Sequence, residues 1–102
     1  MEPLRLFATL QSLEPLETWA AIFKRAGWRA TQRSDQLILK SEGFSGSLEQ
    51  SEPGMWMLRG EIEGLEMADQ LSSILRAAEA HYQIDLFEED GRLLRRLTNE
   101  PN

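Results

Sequence analysis

Apolar and polar residues alternate at the start of the chain. Leu4, Leu6, Ala8 and Leu10 are separated by Arg5, Phe7 and Thr9. That period of two predicts a strand with its leucines on one face. The period then changes. Leu16, Trp19, Ala20, Phe23 and Ala26 follow at helical spacing, with Ile22 beside them. Pro15 suits the first turn, where a missing N–H costs no intrahelical bond. Lys24 and Arg25 complement the helix dipole in the last turn, and Gly27 suits the residue that ends the helix.

Residues 28–33 and 36–42 read as a hairpin around Ser34 and Asp35. Residues 44–50 read as a polar strand, with Gly43 and Gly46 marking a bulge or bend. Glu52-Pro53-Gly54-Met55 places Pro and Gly where a type II turn needs them. A strand from Met55 to Ile62 follows, with Trp56, Leu58 and Ile62 on one face. A helix from Leu65 to about Ala80 buries Ala68, Leu71, Leu75 and Ala78. Tyr82, Ile84 and Leu86 then alternate with Gln83, Asp85 and Phe87. Asp90-Gly91 signals a hairpin turn in which both residues tolerate positive φ, and residues 92–98 return as the last strand. Glu88 and Glu89 are placed to face Arg92, Arg95 or Arg96 across that hairpin. The tail from Asn99 to Asn102 is expected to fray.

Two stretches match without a gap. Leu6, Leu10, Leu13, Glu14, Ile22, Phe23, Lys24 and Ala26 align with Leu58, Ile62, Leu65, Glu66, Ile74, Leu75, Arg76 and Ala78, each pair 52 positions apart. Such a period suggests a β-α-β-β unit written twice, over residues 4–42 and 56–98, inside one domain spanning 1–102. The order is β-α-β-β-(β)-β-α-β-β. Each helix has one apolar stripe, so both are expected on one face of a mostly antiparallel sheet, a two-layer α+β fold. Trp19, Phe23, Trp56, Leu58, Leu71 and Leu75 form its expected core.

Composition narrows the functional classes. The chain has 102 residues, no cysteine and a net charge of −6. Thiolate chemistry, disulfides and cysteine metal sites are excluded. Met1 is followed by Glu2 and Pro3 rather than by a basic and then apolar leader, and no apolar run approaches bilayer length, so a cytoplasmic location is expected. The acidic balance disfavours nucleic-acid and membrane partners. Charge is also uneven: residues 41–70 carry seven acids against Arg59 alone.

Motifs for catalysis are sparse. His81 is the single histidine, at the seam between the second helix and the next strand, where it fits a capping role better than that of a general base. Glu61, Glu63, Glu66 and Asp69 could meet at a strand-helix junction and hold a hard cation, but they lack calcium-loop spacing. No phosphate-binding glycine motif is present, and no cofactor is implied. A catalytic role for His81 or these acids ranks third among the functions considered.

The residues opposite the core-facing set stand out. Phe7, Ile38, Met55, Met57, Phe87 and Leu94 lie there, with Arg5, Thr9, Arg59 and Asp85 between them. A free antiparallel face is normally polar, whereas aromatics and methionines are enriched in interfaces. The expectation is a non-catalytic interaction module whose open face, through Phe7, Met55, Met57, Phe87 and Leu94, takes a protein partner or a second copy. Arg5 and Arg59 are expected to meet Asp85 across the two-fold axis of a homodimer. The alternative is a small-ligand binder with an apolar cleft between helices and sheet.

Overall fold

A computed structural model describes residues 3–99. The elements are β1 (Leu4–Gln11), α1 (Leu16–Arg25), β2 (Arg29–Arg33), β3 (Gln36–Ser41), β4 (Phe44–Glu52), β5 (Met55–Ile62), α2 (Leu65–Ala77), β6 (His81–Phe87) and β7 (Leu93–Thr98). The seven strands form one sheet in the order β2-β3-β4-β5-β1-β6-β7, antiparallel throughout. The helices share one side of it, α1 over β2 and β3, α2 over β5 and β6. The fold is therefore the expected two-layer α+β arrangement. Among the described residues, no helix is long and apolar enough to cross a membrane.

Strand alternation sends one set of side chains under the helices. One row across the sheet reads Leu37, Leu48, Leu58, Ala8, Ile84 and Leu97, each opposite the next. Trp19 and Phe23 of α1, and Leu71 and Leu75 of α2, close over this layer and are fully buried. All six expected core residues belong to the one cluster. Ring contacts run in sequence from α1 into the sheet: Trp19 to Phe23 at 6.2 Å between centroids, Phe23 to Trp28 at 5.2 Å, and Trp28 to Phe44 at 4.8 Å. The indole N–H groups of Trp19 and Trp28 find no acceptor, whereas that of Trp56 donates to the Ser12 carbonyl at 3.3 Å.

Phe44 needs space that only glycine leaves. Gly46 and Gly60 face each other across β4 and β5. A Cβ on Gly46 would lie 2.2 Å from the Arg59 carbonyl oxygen and 3.0 Å from the Phe44 ring. A Cβ on Gly60 would lie 2.6 Å from the Ser45 oxygen and again 3.0 Å from that ring. The bend expected near Gly43 is a turn instead: Gly43 takes φ +88 between β3 and β4. Gly54 takes φ +82, as the third residue of a type II turn requires.

Both helices end in the same way. The N–H of Trp28 reaches the Phe23 carbonyl and that of Gly27 the Lys24 carbonyl; Ala80 and Glu79 repeat these bonds to Leu75 and Arg76. This is the Schellman arrangement, written twice at an offset of 52. It requires a left-handed residue at Gly27 (φ +92) and at Glu79 (φ +59). Glutamate is strained there and glycine is not. Glu79→Gly is expected to raise unfolding free energy by about 0.5–1 kcal/mol, the relief of the left-handed strain less glycine's added chain entropy. Urea denaturation measures it; a loss of stability would contradict the assignment.

The β1–β5 ladder is centred on Phe7 opposite Arg59, a pair that is itself 52 positions apart. The two strand-to-helix starts therefore face each other symmetrically. The crossovers differ: α1 carries the chain past β5, β4 and β3 to the edge strand β2, while α2 carries it past β1 alone to β6. The helix starts differ too. Leu65 and Glu66 open α2, but Leu13 and Glu14 lie in the loop before α1, where Leu13 is 95% exposed.

Two turn expectations are corrected near the carboxyl end. Glu88 and Arg92 pair across a three-residue loop in which Gly91 alone takes positive φ (+90), and Asp90 accepts from the Arg92 backbone at 3.1 Å and from its Nε at 2.9 Å. Asn99 is held in place, accepting from the Tyr82 N–H at 3.0 Å and donating to the Ala80 carbonyl at 2.7 Å. The rest of the expected frayed tail lies outside the described residues.

Candidate functional site

The uncovered face of the sheet is assembled from all seven strands. Its central row reads Thr31, Ile38, Ser47, Arg59, Phe7, Asp85 and Arg96. The row beside it brings Arg29, Lys40, Ser45, Glu61, Arg5, Phe87 and Leu93 together. On the other side, Arg33, Gln36, Glu49, Met57, Thr9, Gln83 and Thr98 line up. Met55 lies beyond them, opposite Gln11.

Phe7, Ile38, Met55, Met57 and Phe87 all sit on this face and are half-buried, packed among their neighbours. Leu94 is 44% exposed. A bulge in β7 makes it the extra residue and sets Leu93, 48% exposed, opposite Phe87. Alternation counted through the bulge could not have found Leu93. The Arg59 guanidinium lies over the Phe7 ring, 5.8 Å from its centroid. Arg5, Phe7, Ser45, Arg59, Glu61 and Phe87 line a shallow depression of about 590 Å³.

Asp85 is the one buried charged side chain among the described residues, 8% exposed. Arg96 donates to it twice, Nε to Oδ1 at 2.7 Å and Nη2 to Oδ2 at 3.3 Å. Gln83 approaches Oδ2 at 3.5 Å. Hydrogen bonding to Asp85, and then its charge, raise the Arg96 pKa above the usual arginine value. A cation with a raised folded-state pKa contributes stability at every pH below its unfolded value and loses it only as pH climbs through the folded one. Arg96 therefore keeps its charge throughout the neutral range. Within the chain Asp85 is paired with Arg96, so the expected pairing of Arg5 and Arg59 with Asp85 across a dimer axis would share that carboxylate with Arg96.

The residues considered for catalysis are dispersed. His81 is exposed at the start of β6, where it pairs with Gln11 of β1. The end of α2 is closed by the backbone of Ala78, Glu79 and Ala80, so His81 does not cap it. Glu61 lies on the open face, while the Glu63 backbone N–H bonds to Gly43 in the loop after β5. Glu66 starts α2, and Asp69 faces Arg95 at 3.8 Å. Among the described residues, no group of three or more His, Asp or Glu side chains could hold a metal ion. Across the β6–β7 hairpin, Glu88 meets Arg92 at 3.7 Å, both well exposed, which is worth little.

Beneath the helices twelve large side chains are fully buried, and a small groove of about 230 Å³, lined by Ile22, Ala26, Ile74, Ala77 and Ala78, lies between the two helices. A cleft of about 990 Å³ does open between the end of α1 and the start of α2. Arg29, Lys40, Glu42, Glu63 and Glu66 line it, so it is charged and not apolar. Comparison with protein-family models, curated proteins and solved structures finds no match for this chain.

Proposed function

We propose that the chain is a non-catalytic interaction module that takes a partner protein on the uncovered face of its sheet. The observation that supports this is the row structure of that face. Five large apolar side chains converge where one-sided packing calls for polar ones, and no element of the described chain lies over them. Each such group, once covered, contributes up to about 1.5–3 kcal/mol before the costs of association. The cytoplasm suits a cysteine-free chain of this kind.

Site-specific photocrosslinking in the native cell tests the proposal. A crosslinking residue replaces Ser47, on the open face, or Gln70, exposed on α2. The expected result is a discrete adduct from position 47, none from position 70, and loss of the adduct when Met57→Glu is added. Circular dichroism of the Met57→Glu variant is expected to show unchanged helix content. Equal adducts from both positions, or none from position 47, would remove the open face from consideration. Adduct mass separates a second copy from a different protein.

A further inference from the structure

The open face carries the opposite charge to the molecule. Arg5, Arg29, Arg33, Lys40, Arg59 and Arg96 lie on it against Glu49, Glu52, Glu61 and Asp85, a net of +2 in a chain whose net charge is −6. The remainder of the chain therefore carries −8. Among the described residues, Arg96 alone of these six cations is in an ion pair, with Asp85. The two closest to the apolar centre, Arg5 and Arg59, frame the depression that Phe7 and Phe87 line. From this juxtaposition, and resting on the interaction role proposed above, we infer that the occupant is an acidic protein segment carrying large apolar side chains.

Charge disfavours a second copy placed face to face, because that would set +2 against +2, and like charges across an interface select against a partner. Asp85, the acid nearest the centre, is already committed to Arg96. Methionine and isoleucine need apolar atoms to bury against, which a nucleic-acid backbone does not supply. An acidic segment satisfies both halves of the face: its apolar side chains cover Phe7, Met57 and Phe87, and its carboxylates meet Arg5 and Arg59. The −8 on the rest of the chain repels such a segment elsewhere, so orientation is selected at encounter.

The test uses two synthetic 18-residue amphipathic peptides with the same leucine and phenylalanine stripe. One has glutamate at all other positions and the other lysine. Each is titrated into the isotope-labelled chain and followed by amide chemical shifts. The expected result is saturable binding of the glutamate peptide with shifts centred on Phe7, Ser47 and Arg59. Its affinity should fall with added salt, and fall at least about tenfold in Arg5→Glu/Arg59→Glu. The milder Arg59→Gln, which keeps a neutral surface side chain, should weaken binding in the same direction if the double variant does not fold.

Equal binding of the lysine peptide would overturn the charge inference and leave the interaction role standing. So would tighter binding of a uridine oligonucleotide or of phosphatidylserine vesicles to the same residues. Self-association abolished by Met57→Glu, with no glutamate-peptide binding, would identify a second copy as the occupant. A monomeric chain whose open face responds to none of these probes would sink both proposals together.

Discussion

Leu71→Ala is expected to lower the unfolding free energy by about 2–5 kcal/mol, the range for cavity-forming truncations in a well-packed core. Leu71 is fully buried on α2 and lies 52 positions after Trp19, which holds the equivalent place on α1. The helix cannot settle into the space, because Leu75 and Ala68 on the same stripe are also fully buried and hold it at its present height. Urea denaturation gives the value directly. A loss well under 1 kcal/mol would mean that α2 presents a different face to the sheet.

Gly46→Ala and Gly60→Ala are expected to cost at least about 1–3 kcal/mol each, the range for overpacking. Both fall at a paired position where backbone, not a yielding side chain, occupies the space. Adding Phe44→Leu to Gly60→Ala relieves the ring but not the Ser45 oxygen at 2.6 Å. The double variant should therefore remain less stable than Phe44→Leu alone. Displacing Phe44 also opens the ring contacts that lead through Trp28 to Phe23, so tryptophan fluorescence should change with stability. Unperturbed fluorescence and stability in Gly46→Ala would contradict the close approach of β4 and β5.

Features set by neighbours in the chain were legible in its residues. The alternation from Leu4 to Leu10 marked β1, and Pro53-Gly54 marked the turn between β4 and β5, because each depends on local backbone preference. The helix stripe of Trp19, Phe23, Leu71 and Leu75 was readable because burial selects at a period of 3.6. Features that arise between distant segments were not. Nothing near Gly46 says that Gly60 lies opposite, and nothing near Asp85 says that Arg96 takes both its oxygens. The open face was half legible for the same reason. Phe7, Met57 and Phe87 follow from alternation within single strands, but the surrounding excess of arginine appears only when the order β2-β3-β4-β5-β1-β6-β7 brings Arg29, Lys40, Arg5 and Arg59 together. Whole-chain charge, which argued against anionic partners, conceals that excess.

The position of β1 bears on how the protein is made. Of the seven strands it is the first to be synthesised, yet in the finished sheet both its neighbours, β5 and β6, follow it by more than 40 residues. Met55 follows Gln11 by 44 residues, about 2–9 s of synthesis at ordinary elongation rates of roughly 5–20 residues per second. During that interval the nascent chain can form the β2–β3–β4 meander, but β1 has no partner of its own, and Leu4, Leu6 and Leu10 have no complete core to enter. A strand that ends in the interior of the sheet is thus the one longest exposed to wrong pairing. Chains stalled before Met55 should be the aggregation-prone species of this protein, and completion of β5, rather than of the whole chain, should be the point at which that hazard falls.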